Sequence, residues 1–281
     1  MPTVREALRA GAARLSAAGV TEASNDAALL LSFVTGEAPL SLRADPGREL
    51  AAEDIAAYEA LLIRRAAREP LQYITGEAPF MGLMLKAAPQ VLIPRFDTET
   101  LCEQALLRLR GGERVLDLCT GSGALAVAIA DRFPDTKVFA GDISTDAVAL
   151  ARENASRCGV AVVVRQGDLF GPFAGERFDM IVSNPPYIPS RDLAGLMEEV
   201  LSEPVLALDG GRDGLDFYRR IIDEAPLYLT SSGWLLLEFG DGQAKAVAAL
   251  LEENFEEITV YSDLNGLERA AAGRLKHGIC T

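Results

Sequence analysis

Histidine is almost absent from this chain. His277 is the single imidazole among 281 residues, so a Ser-His-Asp or Cys-His mechanism has no base to draw on, and His277 reads as a surface residue. Cysteine is scarce and scattered. Cys102, Cys119, Cys158 and Cys280 share no C-x-x-C spacing, which supports neither a zinc site nor a disulfide framework. No metal is expected. Long apolar runs are missing too: nothing approaches the ~18 residues of a membrane span, and Met1-Pro2-Thr3-Val4-Arg5-Glu6 has no extended apolar stretch behind it. The expectation is a soluble, cytoplasmic protein. Positive charge is in deficit, with 27 Lys and Arg against 41 Asp and Glu and a net charge of −14. A protein whose main work is gripping duplex nucleic acid through its phosphates is built the other way. What the chain does have is 49% hydrophobic residues, ample for one large core or two smaller ones.

Residues 1–75 read as a small helical domain. Thr3 with Glu6 makes a capping box ahead of an alanine-rich run to Ala18. Ser24 or Asn25 caps a second helix, Ala27 to Thr35, closed by Gly36, and a third runs from about Glu53 to Arg68 before Pro70. Arg64, Arg65 and Arg68 at its end read as charge complementing the helix dipole rather than as a patch for an acidic or RNA-bearing partner. Residues 76–95 read as a hairpin linker, with extended pieces Phe80 to Lys86 and Val91 to Ile93.

From residue 96 to 281 a helix starting at Asp97 or Thr98 leads into alternation. Strands are expected at Arg114 to Leu118, Lys137 to Gly141, Ala161 to Gln166, Phe178 to Ser183 and Trp234 to Phe239. Helices are expected at Ala124 to Arg132, Thr145 to Cys158, Phe217 to Tyr228 and Gln243 to Phe255. Such alternation implies right-handed crossovers and an α/β fold with a doubly wound, mostly parallel sheet. Ligands of such sheets lie at the carboxyl ends of the strands.

The unusual residues fall at that edge. Leu116-Asp117-Leu118-Cys119-Thr120-Gly121-Ser122-Gly123 follows a strand and opens a helix, where glycine lets the backbone approach a ligand. From Gly121 the spacing fits G-x-G-x-x-A with Ala126, and Asp142 lies about 20 residues on, so an NAD-type site stays open at this point. Asp142 reads either as a bidentate acceptor for ribose hydroxyls or as a cap before Ser144. Asp168 can accept from an adenine amino group while Leu169 offers the ring an apolar face. The fourth strand ends at Ser183-Asn184-Pro185-Pro186-Tyr187. Each proline lacks an N–H and holds the residue before it extended, so the Asn184 side-chain oxygen and the Pro185 carbonyl can face an incoming donor. Tyr187 reads either as a platform for a flat substrate group or as a tyrosine packed beneath the turn.

Together these stretches resemble a Rossmann-like class I S-adenosylmethionine-dependent methyltransferase acting on a planar nitrogen. Glu69 to Gly76, Leu92 to Glu99, Glu203-Pro204 with Ala207-Leu208 and Gly210 to Leu215, and Leu237-Glu238-Phe239-Gly240 extend the likeness to the HemK/PrmC family across the whole chain. The resemblance implies S-adenosylmethionine as cofactor and class-1 peptide-chain release factors as partners, methylated on N5 of the glutamine in their GGQ motif. It implies that the N-terminal helices help hold the release factor, without direct nucleic-acid contact and with the protein as a monomer. Cofactor contacts carried over are Cys119, Thr120, Gly121, Ser122, Gly123, Asp142, Asp168, Leu169, Asn184 and Phe96, the last standing where the family has proline. Asn184 and Pro185 are the catalytic acceptors, with Pro186 and Tyr187 beside the substrate. Cys119 stands where the family has glycine, and a positive φ there would cost roughly a kcal/mol or more, so φ below zero is expected. The same Asn-Pro-Pro-Tyr also resembles enzymes acting on exocyclic amines of DNA or RNA. A dehydrogenase or a non-catalytic binding module on the same fold are the readings from other classes.

Overall fold

The computed structural model describes residues 1–278, so Cys280 lies outside the described residues. The chain divides into two compact units, residues 1–76 with 197–202 and residues 77–196 with 203–281.

The first unit contains α1 (Val4–Ala17), α2 (Ala23–Thr35), α3 (Pro39–Ala44), α4 (Ala52–Ala66) and α5 (Leu71–Thr75). The capping box forms as expected, Glu6 N donating to Thr3 Oγ1 at 3.3 Å and Thr3 N to Glu6 Oε2 at 2.8 Å. α3 and α5, of six and five residues, were not expected, because so few residues span too little of a helical period to show a pattern. Leu15, Leu30, Leu31 and Leu62 form the core with Tyr58, whose hydroxyl donates to Ala27 O at 3.1 Å. The three arginines have carboxylate partners within this unit. Arg64 meets Glu69, Arg65 meets Asp26 at 2.8 Å, and Arg65 and Arg68 share Glu199. The Arg65 and Asp26 side chains are each only 8% exposed, so this pair stands in place of apolar core.

In the second unit β1 (Glu77–Phe80) pairs antiparallel with β2 (Leu83–Lys86), and Phe80 and Leu85 are buried in that unit's core. The hairpin is therefore part of this body rather than a free linker, and Val91 to Ile93 lies in a loop instead of a strand. Then come α6 (Phe96–Arg108), β3 (Arg114–Leu118), α7 (Ala124–Arg132), β4 (Lys137–Asp142), α8 (Thr145–Arg157), β5 (Val162–Gln166) and β6 (Phe178–Ser183). After the single turn α9 (Glu198–Leu201), which belongs to the first unit, follow α10 (Asp216–Glu224), β7 (Leu229–Glu238), α11 (Ala244–Leu251), β8 (Phe255–Ser262) and β9 (Glu268–Leu275). The sheet order is β5-β4-β3-β6-β7-β9-β8, parallel through β7 and antiparallel at β9 and β8.

Alternation along β3 and β6 divides the core: Val115 and Val182 face one layer, Leu116 and Ile181 the other. The closing antiparallel pair was not expected, since β9 carries Ala270-Ala271-Ala272-Gly273 in place of β-branched residues. Packing explains them. α6 and α11 both lie against β9, and a Cβ on Gly273 would come within 2.9 Å of Phe255. Because β3 pairs with β4 on one side and β6 on the other, the strand order reverses there, and a crevice opens at the carboxyl ends of β3 and β6. No helix among the described residues is long and apolar enough to cross a membrane.

Removing one partner of a buried ion pair leaves the other charge stranded. Asp26→Ala should therefore cost about 3–5 kcal/mol in denaturant unfolding, and the double change Asp26→Leu with Arg65→Met clearly less. Equal losses would contradict this.

Candidate active site

The crevice holds a cavity of about 240 Å³ lined by the ends of β3, β4 and β6, by the turn after β5, and by the loop 90–95. In the β3–α7 turn Gly121 and Gly123 have φ of 54° and 81°. A Cβ on Gly123 would lie 3.0 Å from Ala151 of α8, so glycine is needed there for conformation and for space. The loop is held from both sides: Thr120 N donates to Gly141 O at 3.1 Å and Gly121 N to Asp142 Oδ2 at 2.9 Å. Asp142 Oδ1 accepts from Ser144 N at 2.9 Å. Both readings of Asp142 thus meet in one side chain, for each oxygen keeps a second lone pair for a ligand hydroxyl. Burial pushes its carboxyl above the usual range. Leu169 is buried at the cavity wall, and Asp168 lies at the rim with Oδ2 paired to Arg220 at 2.6 Å.

Cys119 corrects an expectation. Its φ is +56°, not negative. The chain must reverse direction directly after β3, and the Cys119 side chain packs against the core layer on that face of the sheet, where burial raises the thiol's pKa. That interior contact holds a residue other than glycine in the left-handed region, at a cost of about 1–2 kcal/mol.

Asp117 belongs to the same motif, and spacing alone assigns it no role. It is 1% exposed and lines the cavity. Its Oδ2 accepts from Thr120 Oγ1 at 2.5 Å and Ala126 N at 3.2 Å, while Oδ1 has no partner. Desolvation pushes its pKa up to about 7. A buried carboxylate with one oxygen unanswered calls for a cation or a donor in the cavity.

At the end of β6, Asn184 and Pro186 line the cavity. Asn184 Nδ2 donates to Thr98 Oγ1 at 3.1 Å, and no group among the described residues donates to Asn184 Oδ1 or to the Pro185 carbonyl. The two acceptors expected from the sequence are both left open. The turn is braced from outside by glycines. A Cβ on Gly210 would meet Tyr187 Cα at 2.7 Å, and one on Gly240 the Tyr187 ring at 2.9 Å. Gln243 Nε2 donates to Tyr187 O at 2.9 Å. Tyr187 itself packs against the core beneath the turn and lines no part of the cavity. Of its two readings the packing one describes this structure. Phe96 is likewise corrected: at the first position of α6 it is 72% exposed and touches no cavity wall, because the inward positions of that helix belong to Thr98 and Leu101. Arg95 lines the cavity in its stead and pairs with buried Glu203, which also accepts from Ile93 N at 3.0 Å. This clasp ties the loop 90–95 to the segment bearing Pro204 and Leu206, which form the facing wall. It went unforeseen because 110 residues separate its partners. Among the described residues no group of three His, Cys, Asp or Glu side chains is placed to hold a metal ion.

Such a sheet, with a glycine turn after the first parallel strand, an acidic residue ending the second and an Asn-Pro-Pro turn ending the fourth, defines a class I S-adenosylmethionine-dependent methyltransferase. A T. thermophilus 16S rRNA N2 methyltransferase solved with AdoMet and guanosine shares the fold, with a TM-score of 0.55 at 19% identity over 71% of this chain and 50% of that one. The family model described as PrmC N-terminal domain matches residues 6–76, and that described as methyltransferase small domain matches residues 95–211. A release factor glutamine methyltransferase from Geobacter sulfurreducens is 44% identical over 275 residues, 97% of each chain. One from Moorella thermoacetica is 44% identical over 252 residues, 88% of this chain and 89% of its own. The chain belongs to the release factor glutamine methyltransferase family.

S-adenosylmethionine suits the groups present: its positive charge answers the orphaned oxygen of Asp117, and its ribose hydroxyls the remaining lone pairs of Asp142. Only ionised Asp117 attracts a cation, and its pKa is about 7. Cofactor affinity measured by calorimetry should therefore weaken as pH falls through 7 and level off above it. In Asp117→Asn that dependence should vanish along with most of the affinity; an unchanged pH profile in the variant would refute the assignment.

Proposed function

We propose that this protein transfers a methyl group from S-adenosylmethionine to the side-chain amide nitrogen, N5, of the glutamine in the GGQ motif of class-1 peptide-chain release factors. The observation that carries this reading is the pair of acceptors at the end of β6 that no group among the described residues donates to, Asn184 Oδ1 and the Pro185 carbonyl, with Asn184 lining the cavity. A primary amide has two N–H donors and a lone pair delocalised into its carbonyl. When both N–H groups donate to Asn184 and Pro185, the nitrogen is fixed in place and its electron density is drawn back from resonance. This is orientation and electrostatic preorganisation without a strong base. The cofactor, when bound, supplies the methyl on a sulfonium. As the nitrogen bonds to the methyl carbon, the carbon–sulfur bond breaks with its electron pair left on sulfur, and the nitrogen gives a proton to water. Asp117 and Asp142 hold the other reactant, while the loop 90–95, clasped by Glu203, walls the cavity. A scarcity of histidine is no obstacle to such chemistry.

The first unit, residues 1–76 with 197–202, would serve as the release-factor-holding part, with the catalytic unit acting as a single copy in the cytoplasm. Leu40, Ile63 and Phe33 are exposed apolar side chains there, suited to burial against a protein partner. Leu40→Glu with Ile63→Glu should raise KM for the release factor and leave cofactor affinity as it is; an unaltered KM would separate this unit from substrate holding.

Mass spectrometry of a release factor incubated with protein and cofactor should place one added CH₂ on the GGQ glutamine. Asn184→Ala should transfer at least about 100-fold more slowly, a loss far larger than any in cofactor affinity. Methyl appearing instead on an exocyclic amine of DNA or RNA would replace the reading with the nucleic-acid one, for which the same two acceptors would serve.

A further inference from the structure

Glu203 lines no part of the cavity, yet its carboxylate joins two of the segments that do. Oε2 accepts from Ile93 N at 3.0 Å, and Oε1 accepts from the Arg95 guanidinium. All six residues of the loop 90–95 line the cavity, and so do Pro204, Leu206 and Ala207, which follow Glu203 closely in the chain. Both carboxyl oxygens are therefore committed to one wall while the backbone that carries them runs on into the other. The loop they hold has no ladder of its own. It forms neither helix nor strand, and it opens on Gln90 at a φ of 74°, a left-handed conformation unfavourable for a residue with a Cβ. Its base is fixed by Val91, which packs on Ala147 and Leu150 of α8, and its far end by Glu203.

We propose that Glu203 is a positioning residue that governs how long the cofactor stays bound, a latch that holds the loop 90–95 and the wall at 204–207 together around it. A stability role accounts poorly for a carboxylate in this place. Glu203 is 4% exposed, and replacing a buried ion pair by hydrocarbon of the same volume is often neutral or stabilising. Burial raises the Glu203 pKa, against the opposing effect of Arg95 and the Ile93 N–H. What two directional bonds provide, and hydrocarbon does not, is a tie between separate segments that can open locally and re-form while the core stays intact. Loops that wall a site commonly set the rates at which ligand leaves it. With the tie cut, the loop 90–95 keeps its base on α8 and loses its far end, so the walls part more often.

The inference rests on the reading that S-adenosylmethionine occupies this cavity, and it is independent of which substrate receives the methyl. Wild-type protein with no affinity for S-adenosylhomocysteine would remove that reading and the latch with it; a release factor left unmethylated would touch only the choice of substrate. Dissociation of S-adenosylhomocysteine is measured by surface plasmon resonance on the immobilised full chain. A primary amide has one oxygen where a carboxylate has two, so in Glu203→Gln either Ile93 N or Arg95 faces an NH₂. Dissociation should quicken about 10-fold, the loss of one ordinary hydrogen bond, with association little changed. Arg95 lines the cavity, so Arg95→Met tests the route of the effect. With Arg95 gone, glutamine at 203 can turn its oxygen to Ile93 N and meets no opposing donor, and the double variant should release the ligand no faster than Arg95→Met alone. In the protein without cofactor, amide hydrogen exchange at Ile93 should accelerate at least about 10-fold in Glu203→Ala while the amides of β3 exchange as in wild type. The isosteric glutamine variant carries the rate measurement should the alanine variant fail to fold. Unchanged dissociation in Glu203→Gln, rates that multiply in the double variant, or exchange that quickens equally in β3 would overturn the proposal.

Discussion

Two unpaired acceptors at the end of β6 are the constraint on which the rest of the structure depends. Inside a protein an acceptor with no donor is normally a liability of about 1–3 kcal/mol, and here two stand side by side. Pro185 and Pro186 make this possible by removing the backbone N–H groups that would otherwise fold back on them. A chain in that state needs support from elsewhere, and it comes from three sequence-distant glycines. Gly210, Gly214 and Gly240 let neighbouring backbone press against Tyr187, while Gln243 ties its carbonyl. Tyr187 is thus the anchor of the turn, and the residues that face the cavity are free of structural duty.

Strand neighbours extend the same logic. β6 lies between β3 and β7, and each of these carries near its carboxyl end a buried carboxylate with one oxygen unanswered, Asp117 and Glu238. Burial raises both to about pKa 7. Their surroundings differ: Asp117 lines the cavity, whereas Glu238 lines no part of it. The left-handed Cys119 belongs to this arrangement as well, since it reverses the chain sharply enough for Asp117 and the glycine turn to share one cavity wall. The clasp of Glu203 on Arg95 and Ile93 N closes that cavity from the other side.

Much of this was legible beforehand. The alternation of strands and helices, the glycine turn, Asp142, Asp168 and Asn184 could be placed at one sheet edge because period and spacing are local properties. The capping box of α1 was legible for the same reason. Misreadings came where a distant contact overruled a local rule. Cys119 sits at positive φ with its side chain packed against the core, and Phe96 points to solvent because α6 presents Thr98 inward. β9 reads as alanine-rich chain of no fixed preference until α6 and α11 are seen to pack on it.

The sequence by itself determined the layer architecture, the sheet edge at which the cavity lies and the two acceptors at the end of β6. Hydrophobic period and proline stereochemistry act over a few residues, so they are written in the chain itself. Tertiary structure alone decided which of those groups remained open and which way they faced. The amide of Asn184 and the carbonyl of Tyr187 are held by Thr98 and Gln243, 86 and 56 residues away, and the orphaned oxygens of Asp117 and Glu238 depend on everything packed around them. Whether a polar group is satisfied is a property of everything that surrounds it, and that sum exists only once the chain has closed on itself.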